Sequence, residues 1–155
     1  DDWFYSAVKY VYDNDLMNGT AATQFSPYMT TSRAMILTIL ARYNGVDTST
    51  GATWYEAGVA WAVENGVSDG TNLEAAVSRE QLVTMLWRLV GSPVIECDLT
   101  AYPDSGSVSD WAAQAMAWAV DTGIIIGTGA GTLNPQGNAT RAEVAAVLAR
   151  FAEND

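Results

Sequence analysis

Histidine is absent from this 155-residue chain. Its absence removes the usual general base near neutral pH and the commonest metal ligand. A Ser-His-Asp or Cys-His mechanism cannot be assembled in its usual form. Cysteine occurs once, at Cys97, so no intramolecular disulfide can form. A lone cysteine ordinarily serves as a small hydrophobe. Positive charge is scarce: seven Lys and Arg stand against eighteen Asp and Glu, for a net charge of −11. That balance argues against nucleic acid and against attraction to anionic lipid. No apolar run approaches the ~18 residues of a membrane helix. The opening Asp1-Asp2-Trp3 has neither an initiator methionine nor a signal peptide, as expected of a fragment or mature segment.

What is present is a unit repeated three times. Trp3, Trp54 and Trp111 align without gaps with Tyr10, Trp61 and Trp118, and then with Gly19, Gly70 and Gly127. A loop follows, and then a Ser/Thr-Arg pair: Ser32-Arg33, Ser78-Arg79 and Thr140-Arg141. The repeats divide the chain into 1–46, 47–96 and 97–155. The loops of repeats one and three are equal in length and share Phe25-Ser26-Pro27 and Leu133-Asn134-Pro135. The loop of repeat two is five residues shorter (Gly70 to Arg79 against Gly127 to Arg141) and has no proline.

After each cap, apolar residues recur at the spacing of one helical stripe. They are Ile36, Ile39, Leu40 and Tyr43, then Leu82, Met85, Leu86 and Leu89, then Val144, Val147, Leu148 and Phe151. Gln81 and Glu143 can close capping boxes with Ser78 and Thr140, whereas Met35 cannot do so with Ser32. A first helix is expected from each aligned tryptophan to just before the aligned glycine, with its aromatics at i and i+7 on one face. Each helix–loop–helix unit is too small to fold alone. The three are therefore expected to form an all-α module that packs its stripes around a pseudo-threefold axis.

The six arginines fall into two sets. Arg42, Arg88 and Arg150 sit in last turns, where a cation suits the helix dipole, and are assigned to the fold. Arg33, Arg79 and Arg141 sit at helix starts, where a cation opposes the dipole. In an acidic chain that placement points to an anion held by the guanidinium and by free backbone N–H groups. Trp3, Trp54 and Trp111 are the aromatic candidates beside them, while Trp61, Trp118 and Trp87 read as packing residues. Gly127-Thr128-Gly129-Ala130-Gly131 follows a helix and lacks the phosphate-loop lysine. It reads as a positive-φ turn whose Gly127 and Gly129 could offer N–H groups to a ligand. Asp13-Asn14-Asp15 fails the calcium-loop pattern at Met17 and Phe25. No cofactor or metal is implied.

These residues resemble the S-layer homology (SLH) family. Its units run Phe-x-Asp, a Trp-led helix, a Gly-x-Gly loop, Phe-x-Pro and a helix opening Thr-Arg-Ala-Glu. Repeat three follows this closely in Tyr102-Pro103-Asp104, Trp111, Gly127-Thr128-Gly129, Leu133-Asn134-Pro135 and Thr140-Arg141-Ala142-Glu143. Repeats one and two follow it in part. The resemblance implies a three-pronged, non-catalytic module that holds surface proteins to the Gram-positive cell wall. It also implies an extracellular location, no membrane insertion, a monomeric module and an acidic, often pyruvylated, secondary cell-wall polysaccharide as partner. Ligand contact would come from Arg33, Arg79 and Arg141, the aromatics and the loop backbone. Grooves using Arg141 or Arg33 are expected to exceed any that relies on the shortened repeat-two loop. The competing readings are a surface module for protein interaction or self-assembly, and a small carboxylate-pair glycosidase.

Overall fold

The computed structural model describes residues 3–18, 24–126 and 131–153. Among these residues it is all-helical. The helices are α1 (Tyr5–Asp13), α2 (Arg33–Tyr43), α3 (Glu56–Glu64), α4 (Arg79–Leu89), α5 (Ala113–Asp121) and α6 (Arg141–Glu153). Short 3-10 turns, Ser105–Ser107 and Asp110–Ala112, lead into α5.

The second helix of each repeat begins as its sequence dictates. Ser32 Oγ accepts the Met35 N–H at 3.2 Å and nothing returns the bond. Ser78 and Gln81 form a reciprocal capping box. Thr140 and Glu143 do the same, at 3.1 Å in both directions. The expected stripe is buried except at Tyr43 and Leu89, which are half-buried, and the burial of α2, α4 and α6 extends beyond it. Leu37, Val83 and Ala145, one position past the first stripe residue, have no exposed surface. These three helices are central and the first helices flank them.

The first helices are shorter than the sequence suggests. They start two residues after the aligned tryptophan and stop six before the aligned glycine. The stop is a left-handed residue just past the helix, Asp15 at φ 56°, Gly66 at 70° and Gly123 at 78°. In repeat one the Leu16 N–H then reaches back to the Val11 carbonyl and the Asp15 N–H to that of Tyr12. This is the Schellman pattern. Glycine takes that conformation without strain, and Asp15 is one of the few side chains that tolerate it. Trp3 and Trp54 therefore precede their helices, and the expected shared face with Tyr10 and Trp61 is lost. Trp3 is 64% exposed, whereas Tyr10 packs on the core.

Helices pair across repeats rather than within them. α3 packs on α2, α5 on α4, and α1 on α6. The last pair closes a cycle between the ends of the chain. At the α2–α3 crossing, a Cβ on Gly58 would lie 2.7 Å from Thr38 Cα. Only glycine permits that approach.

The cycle has a backbone centre. Thr31, Val77 and Ala139 each precede a helix cap and are buried. The Val77 N–H donates to the Thr31 carbonyl at 2.8 Å, Ala139 to Val77 at 2.9 Å, and Thr31 to Ala139 at 3.1 Å. Three donors and three acceptors close one ring. Bridges Ser32–Ala76, Ser78–Asn138 and Thr30–Thr140 repeat the same relation around it.

Candidate functional site

The helix starts do not hold free N–H groups. Arg33 and Ala34 donate to the carbonyls of Ala75 and Leu73. Arg79 and Glu80 donate to Gly137 and Pro135, and Arg141 and Ala142 to Met29 and Pro27. The start of each repeat's second helix is thus capped by the loop of the next repeat, with repeat three returning to repeat one. The expectation that an anion uses these N–H groups is corrected.

The early guanidiniums follow the same cycle. Arg33 Nε donates to the Thr71 carbonyl at 3.0 Å, Arg79 Nε to Leu133 at 2.9 Å and Arg141 Nε to Phe25 at 2.8 Å. Arg33 also faces Asp69 at 3.6 Å, and Arg79 pairs with Glu143. Arg141 adds the Asn18 carbonyl and lies 4.6 Å over the Phe25 ring. Burial lowers the Arg141 pKa from its usual value. Carbonyl acceptors give the early arginines a reason to stand at helix starts against the dipole. Their assignment to a ligand alone is therefore too narrow.

The shortened loop of repeat two is also less different than its length suggests. Thr71, Phe25 and Leu133 each lie eight residues before their arginine. Asn72, Ser26 and Asn134 follow them, all with φ near 50° (52°, 55° and 48°). The missing residues fall between Gly70 and Thr71, upstream of the acceptors. The expectation that this loop misplaces its backbone is corrected. The expected ranking also divides, because Arg33 is the arginine that reaches the repeat-two loop.

Late arginines repeat a second contact. Arg42, Arg88 and Arg150 donate to the carbonyls of Leu16, Val67 and Ile124, at 3.4, 3.4 and 3.3 Å. Each ties a second helix to the end of its own repeat's first helix, and the assignment to the fold holds. These arginines also line the surface grooves, a role that their spacing did not disclose.

Three grooves result, each with one such residue from each repeat. Arg33, Arg88 and Trp111 meet in a groove of about 340 Å³. Arg79, Arg150 and Trp3 meet in one of about 470 Å³. Arg141, Arg42 and Trp54 meet in one of about 190 Å³. All six arginines are used. The tryptophans are more than half exposed, at 64%, 56% and 53% for Trp3, Trp54 and Trp111. Trp118 is buried, and Trp87 Nε1 bonds the nearby Pro93 carbonyl at 2.8 Å, so both are packing residues as expected. Gly127 and Gly129 lie outside the described residues.

Two carboxylates escaped notice in the sequence. Glu80, buried at the start of α4, accepts from Ser109 N–H at 2.9 Å and Ser109 Oγ at 2.6 Å. It fixes the turn that presents Trp111. Asp104 accepts from the N–H groups of Leu133 (2.9 Å) and Asn134 (2.8 Å), and so holds the loop that receives Arg79. These bonds, Leu133's above all, pull the Asp104 carboxyl below its usual pKa. Its place in the Tyr102-Pro103-Asp104 segment was the available signal.

The sequence model of the S-layer homology domain matches residues 1–34 and 101–145. The exoglucanase XynX of Acetivibrio thermocellus is 31% identical over 96% of this chain and 15% of its own length. The amylopullulanase of Thermoanaerobacterium thermosulfurigenes is 30% identical over 96% of the chain and 9% of its own. The surface-layer 125 kDa protein of Lysinibacillus sphaericus is 30% identical over 96% and 14%. The chain thus spans under a fifth of each of these relatives. SLH domains are non-catalytic modules that anchor surface proteins to the cell wall. With its three-fold unit, its helix-start arginines and these matches, the chain belongs to the S-layer homology domain family.

Proposed function

We propose that this module anchors its parent protein by binding an acidic, pyruvylated secondary cell-wall polysaccharide in the grooves between repeats. One observation carries the reading: in a chain of net charge −11, six of seven cationic side chains line three grooves. The remaining cation, Lys9, is paired with Asp13 on α1. Each groove also presents an exposed indole. A guanidinium grips a carboxylate, and an indole face covers the apolar face of a sugar ring. The early arginines act with their neighbours, since each Nε is committed to a carbonyl and an outer nitrogen already meets Asp69, Glu143 or the Asn18 carbonyl. The module works as a monomer, its grooves being completed within one chain.

The test is co-sedimentation with purified cell-wall sacculi in three forms: intact, mildly acid-treated to remove pyruvate ketals, and stripped of secondary polysaccharide. Binding to the intact form alone is expected. Retention on stripped sacculi would overturn the reading in favour of a protein or peptidoglycan partner. Equal binding after ketal removal would overturn the acidic part alone.

A further inference from the structure

The three grooves differ in charge. Counting the ionic groups that line them, the Arg141–Arg42 groove holds two cations and no carboxylate among its described residues. The Arg33–Arg88 groove adds Asp69. The Arg79–Arg150 groove adds Glu143. Among the described residues the lining charges are therefore +2, +1 and +1. The last two grooves differ in how the carboxylate is held: the Asp69 side chain is 70% exposed and 3.6 Å from Arg33, whereas that of Glu143 is 24% exposed and bonded to Arg79. Glu143 is the third residue of its helix and stands beside the late arginine, where the other grooves have Met35 and Gln81.

In the Arg79–Arg150 groove, Glu143 cannot leave Arg79 cheaply. One carboxylate oxygen accepts the Thr140 N–H at 3.1 Å in the capping box, and the other is on Arg79. Arg79 itself is 7% exposed. An incoming carboxylate would have to displace a partner already in place, or sit uncompensated beside it.

Of the three grooves this one is the largest and the most aromatic. Trp3 and Tyr28 are 64% and 69% exposed. Both rings stand edge-on to the buried Phe4, at 5.3 and 5.8 Å. One core residue therefore braces two exposed rings. At the position of Tyr28, the other repeats carry Glu74 and Gln136. Ile126, also exposed, extends the apolar lining.

We infer that the groove of Trp3, Tyr28 and Arg79 binds an uncharged sugar ring by its apolar face, while carboxylate-bearing sugars go to the other two. The inference rests on the reading of the module as a carbohydrate binder. It assigns the two kinds of residue in a mixed polysaccharide to different grooves of one chain.

The experiment uses the intact chain, with its tryptophan indole N–H resonances assigned. The probes are methyl N-acetyl-β-glucosaminide and its 4,6-O-(1-carboxyethylidene) derivative. The neutral probe is expected to shift the Trp3 resonance, and the acidic probe those of Trp54 and Trp111. Trp3→Ala should weaken the neutral probe at least about tenfold and spare the acidic one. Glu143→Gln keeps a capping side chain and frees Arg79, so the acidic probe should then reach Trp3. An acidic probe that shifts Trp3 in the unaltered chain as tightly as the neutral one would overturn the inference. So would a neutral probe that leaves Trp3 unmoved. Silence of Trp54 and Trp111 toward the acidic probe would instead fail the proposed function, whatever Trp3 does.

Discussion

The seam between repeats and the rim of the grooves lie within a few side chains of each other, yet they are built differently. The seam is largely buried, and its backbone is bonded from repeat to repeat. Helix-start N–H groups and early guanidiniums end on carbonyls of the next repeat. The rim consists of tryptophans that are more than half exposed and stand outside their helices. Loss of a seam residue leaves buried acceptors unsatisfied, whereas loss of a rim residue leaves only water in its place. The two regions therefore divide stability from binding, and the arginines stand at their boundary.

The sharpest way to break this division is to open the cycle. A chain ending at Gly91 loses α6, on which α1 packs, and Ala139, which makes two of the three bonds of the backbone ring. We expect no cooperative unfolding transition by calorimetry. A transition with the midpoint of the intact chain would show that repeats are held within themselves and not by the seam.

Arg141→Ala comes next. It removes bonds to the carbonyls of Phe25 and Asn18 from a buried position. Hydrogen bonds to a charged group are worth about 1.5–3 kcal/mol each, so chemical denaturation should show a loss on the order of 2–4 kcal/mol. This reverses what the sequence suggests, namely an arginine dispensable to the fold. A loss under about 0.5 kcal/mol, the range of ordinary surface changes, would place Arg141 on the rim instead.

Trp54→Ala tests the rim. Stability should move by no more than about 0.5 kcal/mol, while affinity for a monovalent acidic sugar falls roughly tenfold. Isothermal titration beside a denaturation curve reads both. A large stability loss with unchanged affinity would erase the distinction between the regions.

The smallest effect belongs to Asp104. Its folded pKa is lowered by the Leu133 and Asn134 N–H groups. Such a group contributes stability above its unfolded pKa, near 4 for aspartate, and the contribution is lost as pH falls through the lower folded value. Asp104→Asn should therefore lose a little stability at neutral pH and show a shallower decline below about pH 4. An unchanged acid limb in thermal melts would remove Asp104 from the seam.

What the sequence disclosed was local. The stripe, the caps and the missing capping partner at Met35 all follow from neighbours in the chain, and all are found. The ends of the first helices were also legible in Gly66 and Gly123, but the later aligned glycines drew attention away from them. The seam was not legible, because spacing says which residues share a helix face and not which distant carbonyl that face meets. Arg33 and Thr71 are separated by 38 residues, and Arg141 and Phe25 by 116. Nor did the threefold alignment reveal that each groove draws from all three repeats. That arrangement arises only when helices pair across repeats. The preference proposed for the Trp3 groove turns on Glu143, which the sequence presented as a capping residue and nothing more.

The ring of Thr31, Val77 and Ala139 also fixes the valence of the module. An open solenoid can gain or lose a unit and keep its pattern, because each end still offers a surface for the next. Here the third unit bonds back to the first and uses the last donor and acceptor. A fourth unit has nowhere to add. On the proposed reading, one chain holds three points of attachment at a set spacing around a rigid hub. When a sugar leaves one groove, the others keep the polymer close, and re-engagement is intramolecular. Weak individual grips can then sum to a durable hold, and the sum is bounded by the closure of three hydrogen bonds.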